Sequence, residues 1–457
     1  MKESSTSVSA ITAALADHIS GTLGRELPPE VVEKTKHHTL DTLAAMLSGA
    51  RLKPGLLAAS YVEDLGGRPV ATVAGTKIVN SPVNAALANG MMAHADETDD
   101  SHLGGRFHPG CGIVPAALAV AEATGSSGND LLKAIALGYD IGARFSLALG
   151  YSGAYTARHS THSLGPVFGA VAAAAALLRL DARQVRHSLS FTVQQASGVP
   201  FWQRDEEHIE KAFDFGGMGA RNGVAAATMV AAGFTAVEDP LAGRHNLFTA
   251  FAETARPEIL VDGLGAHHEI LKTSIKKWCV GSPIQAALDS LTALMAEHGL
   301  RAADIARLVA TMPDDRIHIV DNRPIPDICL QHLLALTLVD GGLTFASSHD
   351  YDRMSDPAVL DLRRRIEAVP SAELTAAVPA RQAIIEIETP DGRRLTHRTR
   401  AVRGTPDNPM ERADIAAKAT DLIQPVIGPV RAATLVDSVW TLERVDDVRT
   451  LRPLLTA

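Results

Sequence analysis

From residue 8 to about residue 260, apolar positions recur with helical spacing and are punctuated by Gly, Pro and Ser, so the pattern predicts helix after helix. Pro28, Pro29 and Glu30 open one helix whose apolar face includes Val32, Leu40, Leu43 and Leu47, and Gly49 is placed to end it. Ser127 to Asp130 reads as a capping box for the segment starting at Leu131. The runs Ala116 to Ala123 and Ala170 to Ala176 use small side chains, which predicts helices in close approach. Near residue 267 the pattern changes. LKTSIKKWCVGSPIQAALDSLTALMAEHG reads as a basic, aromatic entry into an amphipathic helix, and Asp304 to Met312 is strand-like. AIIEIET and RLTHRTRAV then flank Pro390, Asp391 and Gly392, a hairpin signal with alternating faces. A last helix is predicted over Glu411 to Ile423. The expected fold is mainly α: a large helical domain over 1–265, completed by 405–457, and a smaller α+β domain over 266–404.

Composition narrows the functional classes. A chain of 457 residues exceeds one comfortable core, and 46% apolar with 21% charged residues describes an ordinary globular protein. A net charge of -9 without a basic stripe argues against a nucleic-acid partner. Cys111, Cys279 and Cys329 lie far apart with no CxxC spacing, so no metal site, cluster or disulfide framework is signalled. The opening MKESSTSVSAITAALADHIS has acids and no sustained apolar stretch, unlike a secretory signal. The longest apolar run, Leu164 to Leu178, is shorter than the roughly 18 residues of a membrane span. A cytoplasmic protein with no membrane partner is the expectation.

The densest chemistry is HADETDDSHLGGRFHPG, His94 to Gly110, which crowds Asp96, Glu97, Asp99 and Asp100 against His94, His102, His108 and Arg106. Groups so close perturb one another's proton affinity, which proton-transfer chemistry requires. The segment also lies between two apolar helices, Ala85 to Ala95 and Ile113 to Ala123, where loops display binding groups. RHSTHSLG places His159 and His162 three apart before an apolar helix, and either can be a general base. Lys211 precedes the glycine-rich GGMGARNG, which reads as a turn into a helix whose amino terminus can receive an anion. IKKW supplies Lys276 at the change of domain, and His332 stands on an otherwise apolar helix. No HExxH, GxSxG or catalytic-cysteine signature appears.

Taken in order, LPPEVVEKTKHHTLDTLAAMLSGA, ANGMMAHADETDDSH, HPGCGIVPAALAVAEATGSSGNDLLKAIALGYDIGAR, HSTHSLG, KAFDFGGMGARNG, IKKWCVGSPIQAALD and NPMERADIAAKA resemble the MmgE/PrpD family. The family includes 2-methylcitrate dehydratase, cis-aconitate decarboxylase and iminodisuccinate epimerase. The resemblance implies a helical large domain built from both chain ends, a smaller α+β lid, a homodimer, and an active site between the domains that needs no metal or other cofactor. Its acidic motif, HxxDFDDT, falls on His94 to Ser101, with Glu97 at the first catalytic carboxylate and Ser101 at the threonine. The histidine of the HP motif becomes His108, and the HPT histidine becomes His159, with His162 the alternative because the downstream spacing is one residue longer. The two lysines become Lys211 and Lys276. Asp100 and His162 join Lys211 and Lys276 as substrate-binding candidates. Two departures stand out: Glu97 replaces an aspartate, and His332 falls where cis-aconitate decarboxylases carry a tyrosine.

The expected function is therefore a cofactor-independent lyase, of dehydratase or decarboxylase type, acting on a small carboxylic acid. Lys211 and Lys276 would bind carboxylates and His159 would abstract the proton beside one of them. Glu97, His108 and Ser101 would orient groups or manage the second proton. The alternative is an isomerase or epimerase in which His159 and His332 face opposite sides of one carbon. A third class is a non-catalytic member of the fold.

Overall fold

The computed structural model describes residues 8–151 and 153–457, the side chains at 153–155 excepted, so the first seven residues of the opening stretch lie outside the description. The fold is mainly α, and the chain divides into two compact units: one runs to Thr273 and resumes over Ile415–Ala457, and the other is Ser274–Asp414.

The first unit is a stack of helices, and the way the sequence starts and stops them positions its chemistry. Pro29–Gly49 begins with Pro at its first position and buries Val31, Leu40, Leu43 and Leu47; Val32 is only half-buried. Pro82–Ala93 is capped by Ser81, whose hydroxyl accepts from the Asn84 amide, and Pro109–Thr124 again has Pro at its start. Between these last two runs the acidic loop. Gly128–Ala148 is capped by Ser127, which accepts from the Asp130 amide at 3.1 Å. The apolar run expected to be a buried helix is Thr161–Leu177, buried from Ser163 onward.

The glycine-rich segment departs from expectation. Ile209–Ala212, a π-helical turn over Phe213–Gly217 and Met218–Ala231 follow one another without a break, so the glycines form no turn and offer no free helix amino terminus to an anion. Their purpose is close approach: a Cβ at Gly216 would lie 2.1 Å from the carbonyl oxygen of Gly90 on the Pro82–Ala93 helix. The extra residue of a π turn also rotates the side chains after it, a device common at functional sites.

The second unit carries a four-stranded sheet in the order Ile366–Ser371, Arg307–Pro313, Ala383–Glu388, Arg394–Thr399, the first pair parallel and the others antiparallel. The strand expected from Asp304 starts at Arg307 because Ala302–Asp304 is a 3-10 turn. The expected hairpin pairs Ala383 with Thr399 through Glu388 with Arg394, and Gly392 takes the positive φ of 85° that its turn requires. Helix Gln285–His298 buries Ala287, Leu288, Leu291 and Leu294 in the same core as Leu308, Ala310, Ile385 and Ile387 of the sheet.

The last expected helix is Arg412–Ile427. Lys418 on it reaches the first unit's own interior, donating to Asp41 at 2.6 Å and to the Thr98 carbonyl at 2.9 Å. Burial pushes the Asp41 carboxyl up to about 6 against the attraction of Lys418.

Candidate functional site

Four imidazoles, a carboxylate and an ammonium gather around the ring of Phe215 in the first unit. Phe215 sits in the π turn. His162 stacks on it with ring centroids 3.8 Å apart, and His94 stacks at 4.4 Å. His108 lies 4.9 Å from His94 and 5.4 Å from His162, and His208 lies 5.2 Å from His94. Lys211 forms an ion pair with Glu97, and its Nζ stands 5.3 Å from the Phe215 centroid and 5.7 Å from that of Trp202.

Asp99 organises this cluster. Its two oxygens each accept one bond, from Nδ1 of His94 and Nδ1 of His108, both at 3.0 Å. Burial would raise this carboxyl, but attraction and hydrogen bonds from His108 and His94 outweigh it and hold it well below the usual range. A carboxylate on Nδ1 fixes the orientation of each ring, and Nε2 of His94 is buried without a hydrogen-bond partner.

His162 is the opposite case. Burial, then the positive fields of His108, His94 and Lys211, push it well below its ordinary value, so it is a neutral imidazole. Its Nδ1 is buried without a hydrogen-bond partner. His159 is half-buried, packs edge-on against Phe251 at 5.5 Å and feels Arg158 and Glu253. The structure thus groups His162, and not His159, with the Asp99–His108 pair. The physical reason is helix phase: His159 precedes Thr161–Leu177, whereas His162 lies on its first turn and faces the π segment.

Asp100 is also placed differently from its expected substrate-binding role. Oδ2 accepts from Nδ1 of His38 at 2.6 Å and from the Tyr139 hydroxyl at 2.7 Å, and Oδ1 accepts from the Gly110 amide at 2.9 Å. Those bonds pin the loop to the start of the next helix. A Cβ at Gly110 would fall 2.5 Å from Oγ1 of Thr42 and 2.8 Å from Oδ1 of Asp100, so only glycine fits. Ser101 is buried in a two-residue strand, and the His102 amide bonds to the Phe107 carbonyl at 2.9 Å to close the loop that delivers His108.

Lys276 and His332 belong to the second unit. Both are buried. His332 lies within Leu330–Asp340 with both ring nitrogens lacking a hydrogen-bond partner, and burial, then Arg363 and Arg353, push it down to about 4.

Residue spacing signalled no metal ligands, yet folding brings together two sets among the described residues, His94–Asp99–Cys111 and His94–Glu97–His208. The sequence reading also missed His38, Tyr139, Asp99 as a bridge, and the Phe215–Trp202 slot. HHTLD and FDFGG were visible, but nothing in their spacing says which ring meets which.

The model of the MmgE/PrpD N-terminal domain matches residues 13–260, and that of the MmgE/PrpD C-terminal domain matches residues 278–443. The chain is 26% identical to a cis-aconitate decarboxylase of Aspergillus terreus, over 98% of this chain and 96% of that one. It is 26% identical to the cis-aconitate decarboxylase-like protein oryM of Aspergillus oryzae, over 98% and 97%, and 25% identical to human cis-aconitate decarboxylase, over 97% and 94%.

Proposed function

Because the chain belongs to the MmgE/PrpD family, we propose that it is a lyase that moves a proton on the carbon beside a carboxylate of a small polycarboxylic acid, with loss of water or carbon dioxide. The observation that carries this reading is the pairing of a buried, neutral His162 with a Glu97–Lys211 ion pair across one aromatic slot.

Each residue has a task in that chemistry. A substrate carboxylate displaces Glu97 from Lys211, whose charge then steadies the enediolate formed as the proton leaves. His162, uncharged and open at Nδ1, takes that proton. In a dehydration His108, oriented by Asp99, presents a proton to the departing hydroxyl; in a decarboxylation His162 takes no proton, and the electron pair left on carbon as carbon dioxide departs is taken up by the one proton that His108 presents. Lys276 is proposed as the second carboxylate-binding cation, on the family resemblance. No step calls on a metal or an organic cofactor. Glu97 is one methylene longer than the family's aspartate, and a displacement near 1 Å matters in a preorganised site. This favours a substrate other than cis-aconitate itself within the same chemical class.

A second reading, epimerisation, draws support from His332, a neutral imidazole in the place of a phenol. Incubation of the full chain with saturated hydroxy-acids and unsaturated tri- and dicarboxylates in deuterated water separates the two. A lyase releases water or carbon dioxide, whereas an epimerase puts deuterium into a product of unchanged formula. His162→Gln should lower turnover about 10²–10⁴-fold with folding intact, and His159→Gln should have a much smaller effect. The reverse order would return the base to His159.

A further inference from the structure

We propose that His94, His208 and Glu97 form a binding site for a zinc-class divalent ion, and that such an ion inhibits the enzyme by setting a divalent charge on the ring that packs against His108, where it opposes proton uptake by the cluster. The binding half stands alone; the inhibition half rests on the lyase reading.

Each of the three residues offers one ligand atom, and the three atoms lie within 4.8 Å of one another. Ligand bonds of about 2.0–2.2 Å close that triangle with small side-chain movements. Two of the atoms are ready-made. Nδ1 of His94 is engaged by Asp99, and its Nε2 is buried with no hydrogen-bond partner in a fully buried residue. The carboxylate–imidazole pairing is the outer-shell arrangement that typically supports a zinc ligand. Nε2 of His208 is likewise buried and unpartnered.

Donor chemistry selects the ion. Two imidazoles and one carboxylate suit zinc or cobalt and disfavour magnesium and calcium, which take oxygen ligands. The competing set His94–Asp99–Cys111 is less suited, because Asp99 already serves two histidines and the Cys111 thiol donates to the carbonyls of His108 and Phe215 at 3.2 and 3.4 Å. Glu97 already has a cation, Lys211, so an entering ion must displace the ammonium from it. That competition keeps affinity moderate.

His208 has no part in the proposed proton transfers, which gives a clean variant. Its φ of 59° lies in the left-handed region, where asparagine is well tolerated, so His208→Asn keeps the backbone. Chelator-stripped full-length protein is titrated with Co²⁺ by its visible absorption and with Zn²⁺ against a chromophoric chelator, in the wild type and in His208→Asn. We expect one ion per chain, a tetrahedral or five-coordinate cobalt spectrum, at least about tenfold weaker binding in the variant, and no displacement by millimolar Mg²⁺. A wild type without the cobalt band, or a variant that binds equally well, overturns the site. In turnover assays the stripped enzyme should be fully active, Zn²⁺ should inhibit it, and His208→Asn should keep its activity while losing at least about tenfold in zinc sensitivity. Activity lost on chelation and restored by one ion would overturn the inhibitory role. If no carboxylic acid is turned over, the lyase reading fails while the titrations still decide the metal site.

Discussion

At the scale of single residues, Asp214 shows how the site's surroundings store a pH dependence. Burial pushes its carboxyl up to about 7 from 3.8, partly offset by the bond it accepts from the Ser160 hydroxyl at 2.5 Å. Between pH 4 and 7 the folded chain thus keeps a proton that the unfolded chain has lost. The stabilisation is fully present below pH 4 and drains away as pH rises toward 7. Asparagine mimics the protonated form at every pH. Asp214→Asn should match the wild type near pH 4 and exceed it by about 2–4 kcal/mol near pH 7.5, read from urea unfolding at several pH values. A difference that stays flat with pH would mean that Asp214 is ionised throughout. At this scale the sequence was informative about inventory and weak on partnership. Glu97, His108, His162 and Lys211 were all identifiable from the crowding of ionisable types, but Asp99 and Asp100 look alike in HADETDDSH. Their division of labour, one holding two imidazoles and the other fastening the loop to His38 and Tyr139, depends on which way each side chain leaves the loop. No periodicity encodes that.

At the scale of elements, two start signals were readable because they are local: Pro at the beginning of Pro29–Gly49 and Ser127 before Gly128–Ala148 act within one turn, whereas the helix expected from Ile113 starts earlier, at Pro109. The π turn was not, because GGMGARNG carries the signature of a breaker while the fold uses its glycines for contact. Gly216 tests this. Alanine there puts a methyl 2.1 Å from the Gly90 carbonyl, a backbone atom that cannot swing aside. Gly216→Ala should cost about 1–3 kcal/mol through overpacking and lower the melting temperature by several degrees, while also disturbing the Phe215 ring on which His94 and His162 stack. Wild-type stability in this variant would show that the two helices separate easily. On the second unit's helix Leu330–Asp340, His332 poses the converse case, a buried imidazole with neither nitrogen bonded. Such a group costs stability where it stands, so His332→Phe should raise the melting temperature. A simultaneous drop in turnover would mark it as retained for chemistry; unchanged turnover would leave it a core residue.

At the scale of the whole molecule, the chain's order of segments carried the family, because seven separated motifs in sequence constrain far more than any one of them, and the matches over 13–260 and 278–443 bear this out. Reaction and substrate stay one level finer than a fold can carry. Lys276 is where that finer level becomes testable, since it belongs to a unit with its own core and is proposed, on the family resemblance, to bind a substrate carboxylate. A buried lysine can simply be structural, and the two roles leave different traces. If Lys276 binds a carboxylate, Lys276→Gln should raise KM about tenfold or more and move the melting temperature little, and Lys276→Arg should restore part of the affinity because charge is kept while geometry changes. The double variant with Lys211→Gln should then lose less than the product of the single effects, because a substrate released at one end has already lost the alignment that the other lysine exploits. Multiplicative losses with unchanged KM and a lowered melting temperature would instead assign Lys276 to the stability of the second unit and remove it from the chemistry.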